Sequence, residues 1–136
     1  MRGSLPSASV PNVLRTAHAF LMPSVQEGFC NAVLEAQAME LPVVATDAEG
    51  LAENVDPGKT GLIVPRWSVT AIADGLEYLL LHPERCSEFG KAGRRRAEAL
   101  FDISDQIDKF EELYASVIVQ HALNAARGSA GKDTPA

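Results

Sequence analysis

The chain is poor in the residues that mark disulfide-held, metal-bound, membrane-spanning or nucleic-acid-binding proteins. Only two cysteines, Cys30 and Cys86, occur in 136 residues. They are too few and too far apart for a disulfide framework or a thiolate metal site, which predicts a reduced, cytoplasmic chain. His18, His82 and His121 each lack a partner at metal-ligand spacing and are assigned structural or surface roles. Positive charge is also scarce: 12 Lys and Arg against 18 Asp and Glu give a net charge of -6. That balance disfavours nucleic-acid binding and leaves any affinity for an anion to local geometry. No long apolar run is present. Residues 1–12 lack the core of a signal peptide, and nothing is long enough to cross a bilayer. Arg94-Arg95-Arg96, with Lys91 and Arg85 nearby, reads as a solvated helix face in preference to a contact with an anionic membrane. No repeat is visible, and the length suits one domain, residues 1–126, with a small polar tail over 127–136 expected to be disordered.

What is present is an alternation of short apolar runs and helical patterns, which predicts an α/β layer structure. Val10, Val13, Leu14 and Ala17 follow helical spacing, with Pro11 tolerated in the first turn. Ala19-Phe20-Leu21-Met22 reads as a buried strand stopped by Pro23, and Val43-Val44-Ala45-Thr46 as a second strand. Residues 51–55 form a helical turn, Asp56-Pro57-Gly58-Lys59 a tight turn, and Gly61-Leu62-Ile63-Val64 a third strand ended by Pro65. Ser68 is the expected N-cap of a helix with Ile72, Leu76, Leu79 and Leu80 on one face, and Trp67 is expected to cover that helix end. Pro83 opens another helix to about Leu100. Ile103, Ile107, Phe110, Tyr114, Val117 and His121 then continue an apolar stripe.

The richest segment is Pro23-Ser24-Val25-Gln26-Glu27-Gly28-Phe29-Cys30-Asn31-Ala32-Val33-Leu34-Glu35-Ala36, in which a strand stops, a glycine turn follows and a helix opens near Cys30. Unpaired N–H groups and a partial positive charge at a helix N-terminus beside a strand's carboxyl end favour phosphate. Glu35 would lie roughly 7 to 8 Å along that helix at 1.5 Å per residue, with Glu27 just outside it. Carboxylates are poor phosphate ligands and good acceptors for hydroxyls. The segment therefore predicts a diphosphate at the amides of Phe29, Cys30 and Asn31, ribose hydroxyls at Glu35 and sugar hydroxyls at Glu27. The glutamate spacing alone is a weak signal, and the strand–turn–helix context strengthens it. Cys30 as a reactive thiol at the helix start is the lesser alternative.

Taken in order, Pro23-Ser24, Glu27-Gly28-Phe29, Asn31, Glu35-Ala36, Ala38, Pro42-Val43-Val44-Ala45-Thr46, Gly50, Glu53, Val55, Gly58, Thr60-Gly61-Leu62 and Val64-Pro65 resemble the donor-binding half of a GT-B glycosyltransferase of group 1, with its E-x7-E motif. The resemblance covers about residues 10 to 118. It implies a partial Rossmann-like domain with a short parallel sheet, flanking helices and a helical carboxyl-terminal part. It also implies that Glu35 holds the nucleotide ribose, that Glu27 contacts the transferred sugar, and that Gly28 and the amides of Phe29, Cys30 and Asn31 surround the diphosphate. Three positions depart from the pattern. Glu40 stands where glycine usually closes the motif helix, Glu49 replaces the first glycine of a Gly-Gly pair, and Cys30 replaces a very small residue. The family's acceptor domain, and the early donor-domain strands that carry a diphosphate-neutralising arginine and lysine, have no counterpart in the aligned residues; Arg2-Gly3 resembles only the end of the preceding strand.

The leading expectation is a nucleotide-sugar-binding domain whose family transfers a sugar from a nucleotide diphosphate to an acceptor hydroxyl, retaining configuration, with no metal cofactor. The alternative is a non-catalytic remnant or split-enzyme subunit that pairs with an acceptor-domain chain or with itself, as the exposed stripe after Ile103 would favour. A GT-B sugar epimerase fits the motif spacing less well.

Overall fold

The structure is a computed structural model that describes residues 5–129. A 3-10 turn, Ser7–Ser9, leads into α1 (Val10–Leu14). There follow β1 (Phe20–Met22), α2 (Asn31–Ala38), β2 (Val43–Thr46), α3 (Leu51–Asn54), β3 (Gly61–Val64), α4 (Val69–Leu81), α5 (Pro83–Leu100) and α6 (Ile103–Ser129). The three strands form one parallel sheet in the order β1-β2-β3. The described residues divide after Leu100 into two compact units. The expected end of a strand at Arg2-Gly3, and the part of the expected tail from residue 130 onward, lie outside the described residues.

β2 is buried at all four positions, which explains why Val43-Val44-Ala45-Thr46 reads as a continuous apolar run: a central parallel strand is covered on both faces. On one face Val43 and Ala45 pack with Cys30, Val33, Ala48, Leu51 and Val55. On the other, Val44 packs with Leu79 and Phe89. Ser68 caps α4 as expected, its Oγ accepting the Ala71 N–H at 3.1 Å. Within the second cluster the Cys86 thiol donates to the Leu79 carbonyl at 3.1 Å, and burial, together with the nearby Glu84 carboxylate, pushes the thiol's pKa up.

Several sequence expectations need correction. Leu80 is 81% exposed, because the inner stripe of α4 runs through Ile72, Gly75, Leu76 and Leu79, and position 80 rotates past it. Gly75 has a packing role there: a Cβ would come within 3.2 Å of Val44 Cγ1. Trp67 does not cover the helix end. It is 81% exposed, in the left-handed region at φ 67. The arginine cluster is not one solvated face either. Arg94 pairs with Glu98 at 2.8 Å and reaches Glu40 at 3.9 Å, whereas half-buried Arg96 donates to the Glu53 carbonyl at 2.8 Å. α6 continues through Ser129, three residues into the stretch assigned to the tail. Within α6, Ile107, Phe110, Tyr114 and Val117 of the apolar stripe are exposed. Among the described residues no helix is long and apolar enough to cross a membrane.

Glu40 carries a local strain that its sequence position foretold. α2 ends in a Schellman arrangement, with Leu41 N–H to Ala36 C=O at 3.0 Å and Glu40 N–H to Gln37 C=O at 2.9 Å. That closure forces Glu40 to φ 59, where an L side chain costs about 1 kcal/mol or more. Its exposed contact with Arg94 returns less than about 1 kcal/mol. Glu40→Gly is therefore expected to raise the melting temperature by a few degrees in differential scanning calorimetry. A fall would show that the ion pair outweighs the backbone strain.

Candidate functional site

Because all three strands are parallel, the loops after Met22, Thr46 and Val64 gather at one edge of the sheet, where α/β folds collect their ligands. Hydrogen bonds tie these loops together. The Thr46 hydroxyl donates to the Ser24 carbonyl in a short bond. Arg66 joins all three loops: its backbone N–H and its Nε donate to Asp47 Oδ1 at 2.7 and 3.2 Å, and its Nη1 donates to the Val25 carbonyl at 3.0 Å. Gly50 N–H donates to the Glu27 carbonyl at 3.0 Å.

Glu27 is half-buried, with Oε1 accepting the Ser24 hydroxyl at 2.8 Å, so its carboxylate is held in the loop. Gly28 and Phe29 are exposed. A Cβ built on Gly28 meets nothing within 4 Å, and its φ lies outside the left-handed region, so neither packing within the chain nor backbone conformation calls for glycine there. Asn31 begins α2 and is exposed. Among the described residues the N–H groups of Asn31 and Ala32 meet no acceptor, as befits a first helical turn. Glu35 is exposed on α2 and lines a cavity of about 490 Å³ with Ser7, Val10, Pro11, Leu14, Ala38 and Met39. The structure thus brings Glu27, Gly28, Phe29 and Asn31 to one edge, and sets Glu35 further along α2 beside a partly apolar hollow.

Cys30 behaves differently from the expectation. Its N–H, assigned from sequence to a phosphate, donates instead to the buried Asn54 Oδ1 at 3.0 Å. Its side chain is 7% exposed within the core, which removes the setting of a reactive thiol. Reading the sequence also missed Asn54, Arg66 and Gln37. Gln37 had a detectable signal, a polar residue four positions after Val33 and on the same buried face of α2. Asn54 and Arg66 had none, since their partners lie 24 and 19 or more residues away. Glu49 is exposed in the loop after β2. No group of three or more His, Cys, Asp or Glu able to hold a metal occurs among the described residues.

A family model described as glycosyl transferases group 1 matches residues 1–96. The capsular polysaccharide biosynthesis glycosyltransferase CapM of Staphylococcus aureus is 35% identical over 97 residues, covering 71% of this chain and 26% of CapM. Sucrose-phosphate synthase from Thermosynechococcus elongatus superposes with a TM-score of 0.83 at 30% identity, covering 87% of this chain and 30% of the synthase. HepE of Anabaena, solved in complex with UDP, superposes with a TM-score of 0.77 at 21% identity over 80% of this chain and 30% of its own; at that identity it speaks to the fold alone. The chain thus spans less than a third of the length of each of these proteins. With a short parallel sheet, flanking helices and a match over most of its length, the chain belongs to the group 1 glycosyltransferases and carries part of the carboxyl-terminal domain of their GT-B fold.

Proposed function

We propose that this chain binds the nucleotide-diphosphate sugar donor of a glycosyltransferase, and that the reaction it serves transfers the sugar to an acceptor hydroxyl with retention of configuration. The observation that carries the reading is the placement of Gly28 and the open first turn of α2 between two carboxylates, Glu27 and Glu35, at the carboxyl edge of a parallel sheet. The N–H groups of Asn31 and Ala32, helped by the partial positive charge of the helix end, receive the diphosphate. Bare Gly28 lets that anion approach the backbone beside exposed Phe29. Glu35 accepts the ribose hydroxyls at the mouth of its cavity, and Glu27, held by Ser24, accepts hydroxyls of the donor sugar. The Cys30 amide supports this arrangement from within the fold. The substrate is the nucleotide sugar, and the reading calls for no resident cofactor. HepE of Anabaena, which shares the fold, was solved with a nucleotide diphosphate, UDP.

The test is calorimetric titration of the chain with UDP, GDP, ADP and dTDP and with their glucose conjugates. Glu35→Ala is expected to weaken binding of the preferred nucleotide about tenfold, the value of a hydrogen bond to a charged group. Glu27→Ala should leave the free nucleotide within twofold and remove any gain from the sugar. Equal affinities for the wild type and both variants would sink the assignment. Hydrolysis of a nucleotide sugar by this chain would further count against the alternative of a purely non-catalytic binding module, which the carboxylate of Glu49 near the loop favours.

A further inference from the structure

We propose that Asn54 is the positioning residue that aims the first-turn amides of α2 at the diphosphate; the inference rests on the donor-site reading above. Beyond the ties at Ser24 and Val25, the loop that crosses the site has two further anchors, and both come from one short element. Gly50 N–H holds the Glu27 carbonyl at 3.0 Å, and Asn54 Oδ1 holds the Cys30 N–H at 3.0 Å. Asn54 Nδ2 also donates to the Cys30 carbonyl at 3.4 Å, so one side-chain amide grips both backbone groups of the residue that starts α2. Only Gly28 and Phe29 lie between the anchors.

Nothing local could do this work. Cys30 occupies the N-cap position, yet its side chain makes no capping bond and is turned into the core. The Cys30 carbonyl accepts the Val33 N–H at 3.2 Å, so fixing Cys30 fixes the first helical bond and, with it, the directions of the Asn31 and Ala32 N–H groups. Asn54 is itself held. Its side chain is fully buried, and its carbonyl accepts Gln37 Nε2 at 3.0 Å from the inner face of α2. α2 and α3 are thereby joined at the start of α2 and again about two turns along it. An amide suits position 54 because it satisfies a buried donor and acceptor together without placing a charge behind the anion site.

The distinguishing quantity is the ratio of affinities for a nucleoside diphosphate and its nucleoside, since the nucleoside lacks the group that the amides receive. The full chain is titrated with UDP, GDP, ADP and dTDP and with uridine, guanosine, adenosine and thymidine, for the wild type and Asn54→Ala, with circular dichroism confirming the fold. Asn54→Ala is expected to reduce that ratio about tenfold for the preferred base while nucleoside affinity stays within twofold. A residue with only a structural role would weaken both ligands together and leave the ratio intact. Should Asn54→Ala fail to fold, Asn54→Val decides by the same ratio: it fills more of the space, adds no charge, and removes both bonds to Cys30. An unchanged ratio in the folded variant overturns the positioning role while the donor-site reading stands. A wild-type chain that binds none of the nucleotides overturns the donor-site reading, and this inference with it.

Discussion

Gly50→Ala is expected to lower nucleotide-diphosphate affinity on the order of a hundredfold, comparable to the loss of rate when a reacting group is misplaced by about 1 Å. Gly50 has an ordinary right-handed conformation, φ -80 and ψ -13, so the constraint is one of space. A Cβ there would stand 1.8 Å from the Gly28 carbonyl oxygen and 2.9 Å from that of Glu27. Both obstacles are backbone, so no side chain can swing aside to relieve the overlap. The loop carrying Glu27 and Gly28 must move, and the Gly50 N–H bond to the Glu27 carbonyl loosens with it. Titration against the nucleotide that binds the wild type best measures the loss. Far-ultraviolet circular dichroism should remain that of the folded chain, because the displaced loop is at the surface. Wild-type affinity in the folded variant would show that the loop's position does not govern binding. Glu49, the neighbouring departure from the family's glycine pair, is exposed and has room for a side chain; position 50 has none.

Phe89→Ala is expected to destabilise the chain by about 3–5 kcal/mol, the usual cost of emptying a buried aromatic site. Phe89 is 1% exposed and packs with Val44 of the central strand and Leu79 of α4. It therefore joins three elements at one point. Against a total stability of about 5–15 kcal/mol for an ordinary domain, such a loss is a large share, and the melting temperature should fall by about 15 °C or more. Leu80→Ala is the internal control. Leu80 is 81% exposed, and its removal should change stability by no more than about 0.5 kcal/mol. If the two variants melt together, the α4 stripe through Leu76 and Leu79 is misassigned.

The elements themselves were legible because each carries its own local signal. The strand ends coincide with Pro23 and Pro65, Ser68 caps α4, and β-branched Val43-Val44 is central. Glu40 was legible as a strained position, since a helix closing before Leu41-Pro42 demands a left-handed residue. Leu80 and Trp67 were misjudged for a shared reason. Apolar character marks a residue as able to be buried, whereas burial depends on a partner surface, and among the described residues these two positions stay largely uncovered. Cys30 was misjudged because an amide at a helix start looks open until its acceptor is located, and Asn54 is 24 residues away.

By itself the sequence determined the α/β class, the order of the strands and helices along the chain, the family resemblance, and the pair of glutamates flanking a glycine turn. All of these rest on neighbours within a few residues, where proline, glycine, capping side chains and apolar spacing act directly on the backbone. Only the tertiary structure decided which amides of α2 stay open, that Asn54 and Gly50 anchor the loop between them, and that Arg66 ties the loops after all three strands. Those contacts close across 19 to 41 residues of chain. Distant polar groups are brought within hydrogen-bonding reach by the packing of the sheet and its helices, and local residue patterns carry no record of that reach.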